Sequence, residues 1–442
     1  MTMNSSGSQL WKKAKKLIPG GSQLLSKRAE QFLPDYWPSY YSRAKGAEIW
    51  DLDNQQYVDM SIMGVGACPL GYADDDVDTA VKKAINKGSM CTLNCSEEVE
   101  LAEKLIKLHP WAAKVRYARG GGEAMSIAVR IARAHTHKDR VAFCGYHGWH
   151  DWYLAANLAD DKNLDGHLLP GLDPAGVPRG LKGTSLPFRY NQPEDLVTIA
   201  EKYPDELAAI VMEPIRDQDP EPEFLETIYK IAHETGAIIV IDEVSAGFRL
   251  NTGGAHLVYG IKPDIAVFAK AISNGYPMGA IIGKSEVMES AQETFISSTY
   301  WTERIGPVAA CATISKYEQC NVPAHLIKTG SAVQKIWQIA AESTGLPIEV
   351  SGIPPLSHLT FTNIDQTDAQ ALSTLYTQLM LDRGFLAGKS FYASFAHTDE
   401  HLNGYQKATE EAFKTIADAT EKKTVMKLLK GPVAQSGFKR LT

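Results

Sequence analysis

"AIIVIDEV", residues 237–244, is a short apolar run that ends in two acids. Two similar runs lie on either side of it, "AAIVMEP" at 208–214 and "DIAVFAK" at 264–270. The segment between the first two runs, "PEFLETIYKIAHETG" (222–236), has apolar residues at helical spacing and a glycine at its end. Continuous apolar strands that alternate with amphipathic helices are typical of a parallel sheet covered on both faces. The middle of the chain is therefore predicted to be α/β.

The two ends of the chain have a different pattern. Residues 41–60 alternate like a β-hairpin, and the C-terminal part contains a strand at 357–364, a helix at 368–384 and a last helix near 404–422. This pattern is typical of a small α+β domain. We predict the following segments: an N-terminal part of the small domain at 1–60, a large domain at 61–325, and the C-terminal part of the small domain at 326–442.

Composition excludes several classes of function. Of 442 residues, 44% are hydrophobic and 22% charged, which is ordinary for a globular protein with a sizeable core. The net charge of −7 creates no basic field for nucleic acid or an anionic membrane. We find no apolar stretch long enough to span a bilayer, and the six cysteines show no paired zinc-ligand spacing. We expect a cytoplasmic protein with reduced thiols and no metal site.

A run of three glycines lies between a predicted strand and a predicted helix, in "RYARGGGEAM" (116–125). Unpaired backbone amides at a glycine-rich helix start can bind a phosphate. The alternative is a tight turn that needs positive φ. The run lacks the GxGxxG spacing of a dinucleotide site.

Polar residues also follow the predicted strands. Asp242 could be a strand-end acid in solvent, or a buried acid that keeps a pyridine nitrogen protonated. Lys270 could be a surface residue, or a desolvated amine that forms a Schiff base. Tyr146 and His147 follow the run "RVAFCG" (140–145), where an aromatic ring could stack on a planar cofactor or simply belong to the core.

Taken in order, these motifs resemble one family. The glycine turn, "YHG", "EP", "DEV…GF" and "PD…AK…GYPMGA" together resemble the fold-type I, class III aminotransferases that depend on pyridoxal 5′-phosphate. The resemblance is greater to glutamate-1-semialdehyde 2,1-aminomutase and its relatives. It runs from "LIPGG" (17–21) to the segment 379–397, which is nearly the whole chain.

The resemblance implies roles around the cofactor ring. Lys270 would form the Schiff base, and Asp242 would pair with the pyridine nitrogen. Val244 would pack on one face of the ring, and Tyr146 would cover the other with His147 beside it.

The resemblance also implies a phosphate site and a dimer. Gly121 and Gly122 would give backbone amides to the phosphate, and Glu213 of the Glu-Pro pair would support the site. Thr299, with Thr302 as the alternative, would reach the phosphate of a neighbouring subunit, so the active unit would be a homodimer.

Several positions depart from the family pattern. Gly120, Gly121 and Gly122 stand where relatives have Ser-Gly-Thr, and Ser245 stands where many have glutamine. Tyr392 replaces an acid of the aminomutase. These departures favour an aminotransferase that moves an amino group from a donor to a ketone or aldehyde by a ping-pong route. The alternatives are an aminomutase, another pyridoxal reaction such as a lyase, or a catalytically dead binding protein of this fold.

Three residues are candidates for the substrate. Arg28 lies near an arginine that binds a carboxylate in the aminomutase family, although Lys27 is an alternative and both could be exposed charges. Arg216 could bind an acidic group, and Tyr392 occupies the changed C-terminal motif.

Overall fold

The computed structural model describes residues 5–167, 171–215, 218–364 and 368–437. Its contacts group into two compact units. The larger unit is Asp75–Ala324, and the smaller unit joins the residues up to Asp74 with those from His325 onward.

The described helices are α1 (Ser6–Leu17), α2 (Asp75–Asn86), α3 (Glu97–Leu108), α4 (Gly121–Thr136), α5 (Asp151–Leu154), α6 (Pro193–Lys202), α7 (Pro222–Thr235), α8 (Ala255–Val258), α9 (Ser285–Glu289), α10 (Ile305–Cys320), α11 (Val322–Thr344), α12 (Ala369–Asp382), α13 (Asp399–Glu421) and α14 (Val425–Leu428). The described strands are β1 (Tyr41–Lys45), β2 (Glu48–Asp51), β3 (Gln56–Met60), β4 (Lys114–Ala118), β5 (Arg140–Cys144), β6 (Ser185–Pro187), β7 (Leu207–Met212), β8 (Ile238–Asp242), β9 (Ile265–Phe268), β10 (Gly279–Gly283), β11 (Ile348–Ser351), β12 (Leu356–Phe361), β13 (Phe385–Ala387) and β14 (Ser390–Tyr392).

The larger unit is built on one sheet, which within the described residues has seven strands in the order β4-β10-β9-β8-β7-β5-β6. Strands β9, β8, β7, β5 and β6 are parallel, and β10 runs antiparallel to both β4 and β9. The predicted α/β class with a mostly parallel sheet is confirmed.

Alternate residues of the central strands enter different cores. Val211, Val240 and Val267 belong to one apolar cluster, whereas Ile210 and Ile239 belong to another. Since successive side chains of a strand point to opposite faces, these are the two faces of the sheet. Helix α4 packs against the valine face, and α6 and α7 share the other cluster. Burial on both faces explains why these strands read as unbroken apolar runs.

Helix α7 shows how local sequence sets the bounds of an element. Pro222 occupies its first turn, where a missing N–H is tolerated, and Gly236 ends it with φ of +67°. Phe224, Ile228 and Ile231 recur at helical spacing and are buried. The helix therefore fixes the link between β7 and β8.

The smaller unit is α+β, as predicted. Its described strands form a sheet in the order β1-β2-β3-β13 and another in the order β11-β12-β14. The predicted hairpin is β2 and β3, and β1 extends it by a strand that the sequence did not reveal. Buried rings of Trp337, Tyr405 and Tyr376 are joined by hydrogen bonds of 2.8 and 2.7 Å.

Across the described ranges, the protein has no helix that is both long and apolar enough to cross a bilayer.

Candidate active site

Lys270 and Ser245 meet at the carboxyl ends of two neighbouring parallel strands. Ser245 follows β8, Lys270 follows β9, and the lysine Nζ donates a hydrogen bond of 2.8 Å to the serine Oγ. The backbone of Lys270 has φ of +46°, in the left-handed region that non-glycine residues seldom adopt. Such a conformation costs about 1 kcal/mol or more and is found most often at functional sites. The surrounding structure therefore holds Lys270 in a backbone conformation that costs free energy.

The surroundings of Lys270 act on its charge. Burial lowers the pKa of the amine, and the nearby guanidinium of Arg249 lowers that pKa further, while Asp242 and Glu213 oppose the shift. Arg249 is itself only 1% exposed and donates from Nε to the Ser245 carbonyl at 3.3 Å. A lowered pKa increases the fraction of neutral amine, which is the nucleophilic form.

Asp242 is a buried acid with defined partners. It is 4% exposed, its Oδ1 accepts from the Val244 N–H at 2.9 Å, and its Oδ2 lies 2.7 Å from Nδ1 of His147. The second ring nitrogen of His147 lies 3.0 Å from the carbonyl of Cys144. His147 therefore joins the end of β5 to the end of β8 and fixes the orientation of the carboxylate.

The neighbouring acid, Glu243, belongs to a separate network. Its Oε1 lies 2.6 Å from Nδ1 of His256 and accepts from the His256 N–H at 2.7 Å. The other ring nitrogen of His256 accepts from the Trp111 indole at 3.2 Å. Asp242, by contrast, is close enough to Lys270 to act on its charge. Of these two successive acids, Asp242 is therefore the one whose charge acts on the lysine.

The glycine run forms the start of α4. Gly120 is its N-cap with φ of −139°, and none of the three glycines has positive φ. A Cβ added to Gly121 would lie 2.8 Å from Cγ1 of Val244, and one added to Gly122 would lie 3.0 Å from Nδ1 of His150. The tight-turn alternative is therefore wrong. Gly121 and Gly122 are needed because other chain segments approach the backbone closely.

Tyr146 and Glu213 lie beside this arrangement. The Tyr146 N–H donates to Oε2 of Glu213 at 3.3 Å, and the ring packs edge-on against Tyr153 at 5.8 Å. Burial raises the pKa of the Tyr146 phenol, with a smaller contribution from Asp242. The ring is therefore a neutral aromatic surface near the carboxylate.

Thr299 and Thr302 bound a single turn on the surface. The Thr302 hydroxyl donates to the Thr299 carbonyl at 3.1 Å, and the Thr299 side chain is exposed. Two aromatic neighbours are strongly exposed, Phe295 at 86% and Tyr300 at 70%. The turn presents the threonine together with apolar surface.

The structure describes two of the three substrate candidates. Arg28 and Tyr392 belong to the smaller unit, where Arg28 packs against Gly20 and Tyr392 lies edge-on to His358 at 6.1 Å. Arg216 lies outside the described residues.

Sequence reasoning missed two contacts in the site. From the sequence, Ser245 is noted only because many relatives have glutamine there, yet Ser245 is the hydrogen-bond partner of Lys270. The sequence alone did not predict a role for His150. Its imidazole lies against Gly122, and its Nδ1 is buried without a partner among the described residues. The three glycines were the available signal, because a missing side chain leaves room for another group.

These residues fit pyridoxal phosphate. Lys270 offers an amine of lowered pKa to an aldehyde, and Asp242 offers a fixed carboxylate to a pyridine nitrogen. The start of α4 offers a cradle that a Cβ would fill, and His150 adds an unpaired polar atom.

Comparison with known proteins gives the same family. Residues 34–352 match the family model described as aminotransferase class-III. The chain is 32% identical to the 3-aminobutyryl-CoA aminotransferase of Cloacimonas acidaminovorans, over 92% of this chain and 96% of that one. It is 31% identical to a glutamate-1-semialdehyde 2,1-aminomutase of Francisella tularensis, over 90% and 96%.

A solved structure supports the fold and the cofactor. The FumI protein of Sphingopyxis sp. MTA144, in its form with pyridoxal phosphate, matches with a TM-score of 0.84 and 25% identity over 94% of this chain and 97% of that one. The resemblance drawn from the motifs is confirmed, as is the predicted cofactor. The chain belongs to the class-III aminotransferase family and is an enzyme that depends on pyridoxal phosphate.

Proposed function

We propose that the protein transfers an amino group between an amino donor and a ketone or aldehyde, and that Lys270 is the residue that binds the cofactor. The observation that carries this proposal is the position of Lys270, a strained lysine of lowered pKa beside Ser245 and Asp242. Bound pyridoxal phosphate supplies an electron sink for the pair of electrons left when a C–H bond next to nitrogen breaks.

Each side chain near Lys270 has one task in this scheme. Asp242, oriented by His147, would hold a proton on the pyridine nitrogen, and Val244 and Tyr146 would contact the ring. The Nζ of Lys270, in its unprotonated form, would take the proton from the substrate carbon that bears the amino group and would later release it. The lowered pKa suits this task, because a base must be unprotonated to accept a proton.

The remaining residues hold the rest of the cofactor. The amides of Gly121 and Gly122 would bind the phosphate at the start of α4, and Glu213 holds the backbone that carries Tyr146. Thr299 would reach the phosphate of a second copy, so that the active protein is a homodimer. We place this homodimer in the cytoplasm. The exposed Thr299 turn and its aromatic neighbours support the dimer.

The relative named for 3-aminobutyryl-CoA guides the choice of donor. We include donors whose amino group is β to a carboxyl or thioester, alongside ordinary α-amino acids. Arg28, Arg216 and Tyr392 remain the candidates for contacts with substrate.

A single half-reaction tests the function. The purified protein should absorb above about 400 nm, and a true donor should bleach that band while releasing about one carbonyl product per active site. Rearrangement of one substrate without release of a carbonyl product would instead support an aminomutase, which the Francisella relatives suggest. A protein that shows no band after pyridoxal phosphate is added would contradict both reactions.

A further inference from the structure

The start of α4 lacks the side chains that would help backbone amides to hold a phosphate dianion. Gly120, Gly121 and Gly122 bring no hydroxyl group. Backbone amides at a helix start favour an anion, yet side-chain donors add charge-assisted or neutral hydrogen bonds that fix its position. Other side chains near these glycines are therefore candidates for the missing hydrogen-bond donor.

The imidazole of His150 fills the space beside Gly122. A Cβ on Gly122 would lie 3.0 Å from Nδ1 and 3.2 Å from Cε1 of this ring. The approach depends on a second glycine, because a Cβ on Gly148 would lie 2.8 Å from the Gly122 Cα. Gly148 also has φ of +102°, which favours glycine. The loop after β5 thus brings His150 to the place where a side chain at position 122 would begin.

The ring of His150 is held in place and carries an unused polar atom. Trp149 stacks on it with ring centroids 4.4 Å apart and planes 24° apart. Its Nδ1 is buried, and no residue in the described ranges forms a hydrogen bond with it. A buried ring nitrogen without a partner is unfavourable unless a ligand or water supplies one. Burial lowers the pKa of His150, although Glu123 and Asp151 oppose this, so a neutral ring with one N–H is the favoured form.

We propose that His150 donates a hydrogen bond from Nδ1–H to the phosphate of the cofactor, in place of the side-chain hydroxyl that Gly122 lacks. The inference rests on the proposed function, because that function puts the phosphate at the start of α4. No covalent step is involved. His150 is thus a binding residue particular to the glycine run of this chain.

The test compares two aldehydes on the cofactor-free protein. Dissociation constants for pyridoxal phosphate and for pyridoxal, which has no phosphate, are measured by absorbance titration. His150→Ala should weaken pyridoxal phosphate about tenfold, the loss of one hydrogen bond to a charged group, and should leave pyridoxal unchanged. His150→Asn keeps an N–H donor and should retain most of the affinity.

A second variant pair tests the replacement directly. Gly122→Thr should bind poorly while His150 is present, because the new Cβ meets the imidazole. The double variant Gly122→Thr with His150→Ala should recover affinity for pyridoxal phosphate. His135→Ala, which removes a histidine at the other end of α4 near Ser290, is the matched control.

The outcomes separate the two proposals. Unchanged binding of pyridoxal phosphate by folded His150→Ala, or equal loss for both aldehydes, would overturn the role of His150 and leave the proposed function standing. A wild-type protein that binds neither aldehyde would overturn the proposed function itself. The predicted pattern is loss for the phosphorylated aldehyde alone, with recovery in the double variant.

Discussion

At the scale of single residues, Lys270 carries two local penalties. Its backbone is strained at φ of +46°, and burial disfavours its charge. At a position without a function, replacement of the lysine by a residue such as glycine would relieve both penalties. Their joint presence beside Asp242 is a strong local sign of chemistry.

The lowered pKa of Lys270 predicts a dependence of stability on pH. Below the usual lysine value of about 10.4 and above the lowered folded pKa, the unfolded chain binds more protons than the folded one, so stability rises with pH. The free energy of unfolding of the cofactor-free protein, relative to Lys270→Met, should therefore increase as pH rises through this window. Lys284→Met, which removes a half-exposed lysine paired with Asp264, controls for general effects of charge. A difference that stays flat with pH would contradict the shift.

Asp242 and its neighbour Glu243 provide a matched pair. Asp242→Asn should slow the half-reaction by about a hundredfold or more, because an amide cannot hold a proton on the pyridine nitrogen as a carboxylate does. Glu243→Gln should lower the melting temperature, since it weakens the buried pair with His256, while the folded protein keeps most of its rate. Single-turnover rates and thermal melts measure both. Equal rates for Asp242→Asn and wild type would show that the pyridine partner is misassigned.

At the scale of elements, the start of α4 should tolerate added atoms at one glycine and not at the next. Gly121→Ser should cost about 1–3 kcal/mol of stability, because its Cβ meets Val244 at 2.8 Å in a packed site. Gly120→Ser should be neutral or slightly stabilising, since nothing lies within 4 Å of its Cβ and serine is a good N-cap. Denaturant unfolding compares the two, and similar losses for both would contradict the packing described here.

Sequence predicts some elements better than others for physical reasons. Strands β7, β8 and β9 are apolar on both faces, so their runs are unbroken and easy to find. Helix α13 begins at Asp399, earlier than the predicted 404. Its capping box pairs Thr398 with His401, and the usual signal for such a start is missing because a Glu or Gln normally stands at that third position. The edge strand β1 is mostly exposed and has no comparable apolar pattern.

The candidate site likewise contains residues that the sequence predicts and residues that it does not. Parallel strands bring their carboxyl ends to one edge, so Asp242 and Lys270 could be placed near each other from their positions alone. Ser245 and His150 could not, because their contacts depend on side-chain packing between segments far apart in the chain. The motifs thus identify the cofactor, and the structure identifies which groups surround the lysine.

At the scale of the whole molecule, the proposed dimer predicts complementation between two defective chains. Lys270→Ala and Thr299→Ala each impair a homodimer, but a mixed dimer contains one site with the intact lysine of one chain and the intact threonine of the other. Coexpression should therefore restore activity above that of either variant alone. Thr302→Ala in place of Thr299→Ala tests the neighbouring hydroxyl. Purified mixed dimers with no more activity than the Thr299→Ala protein would contradict a contribution across the interface.

The most direct test asks which lysine carries the cofactor. The protein loaded with pyridoxal phosphate is reduced with borohydride, digested, and mapped by mass spectrometry. We predict one modified peptide, with the phosphopyridoxyl group on Lys270, and no such peptide from Lys270→Ala. A cofactor fixed to another lysine, or wild type and Lys270→Ala labelled alike, would contradict the assignment of Lys270 and with it the proposed site.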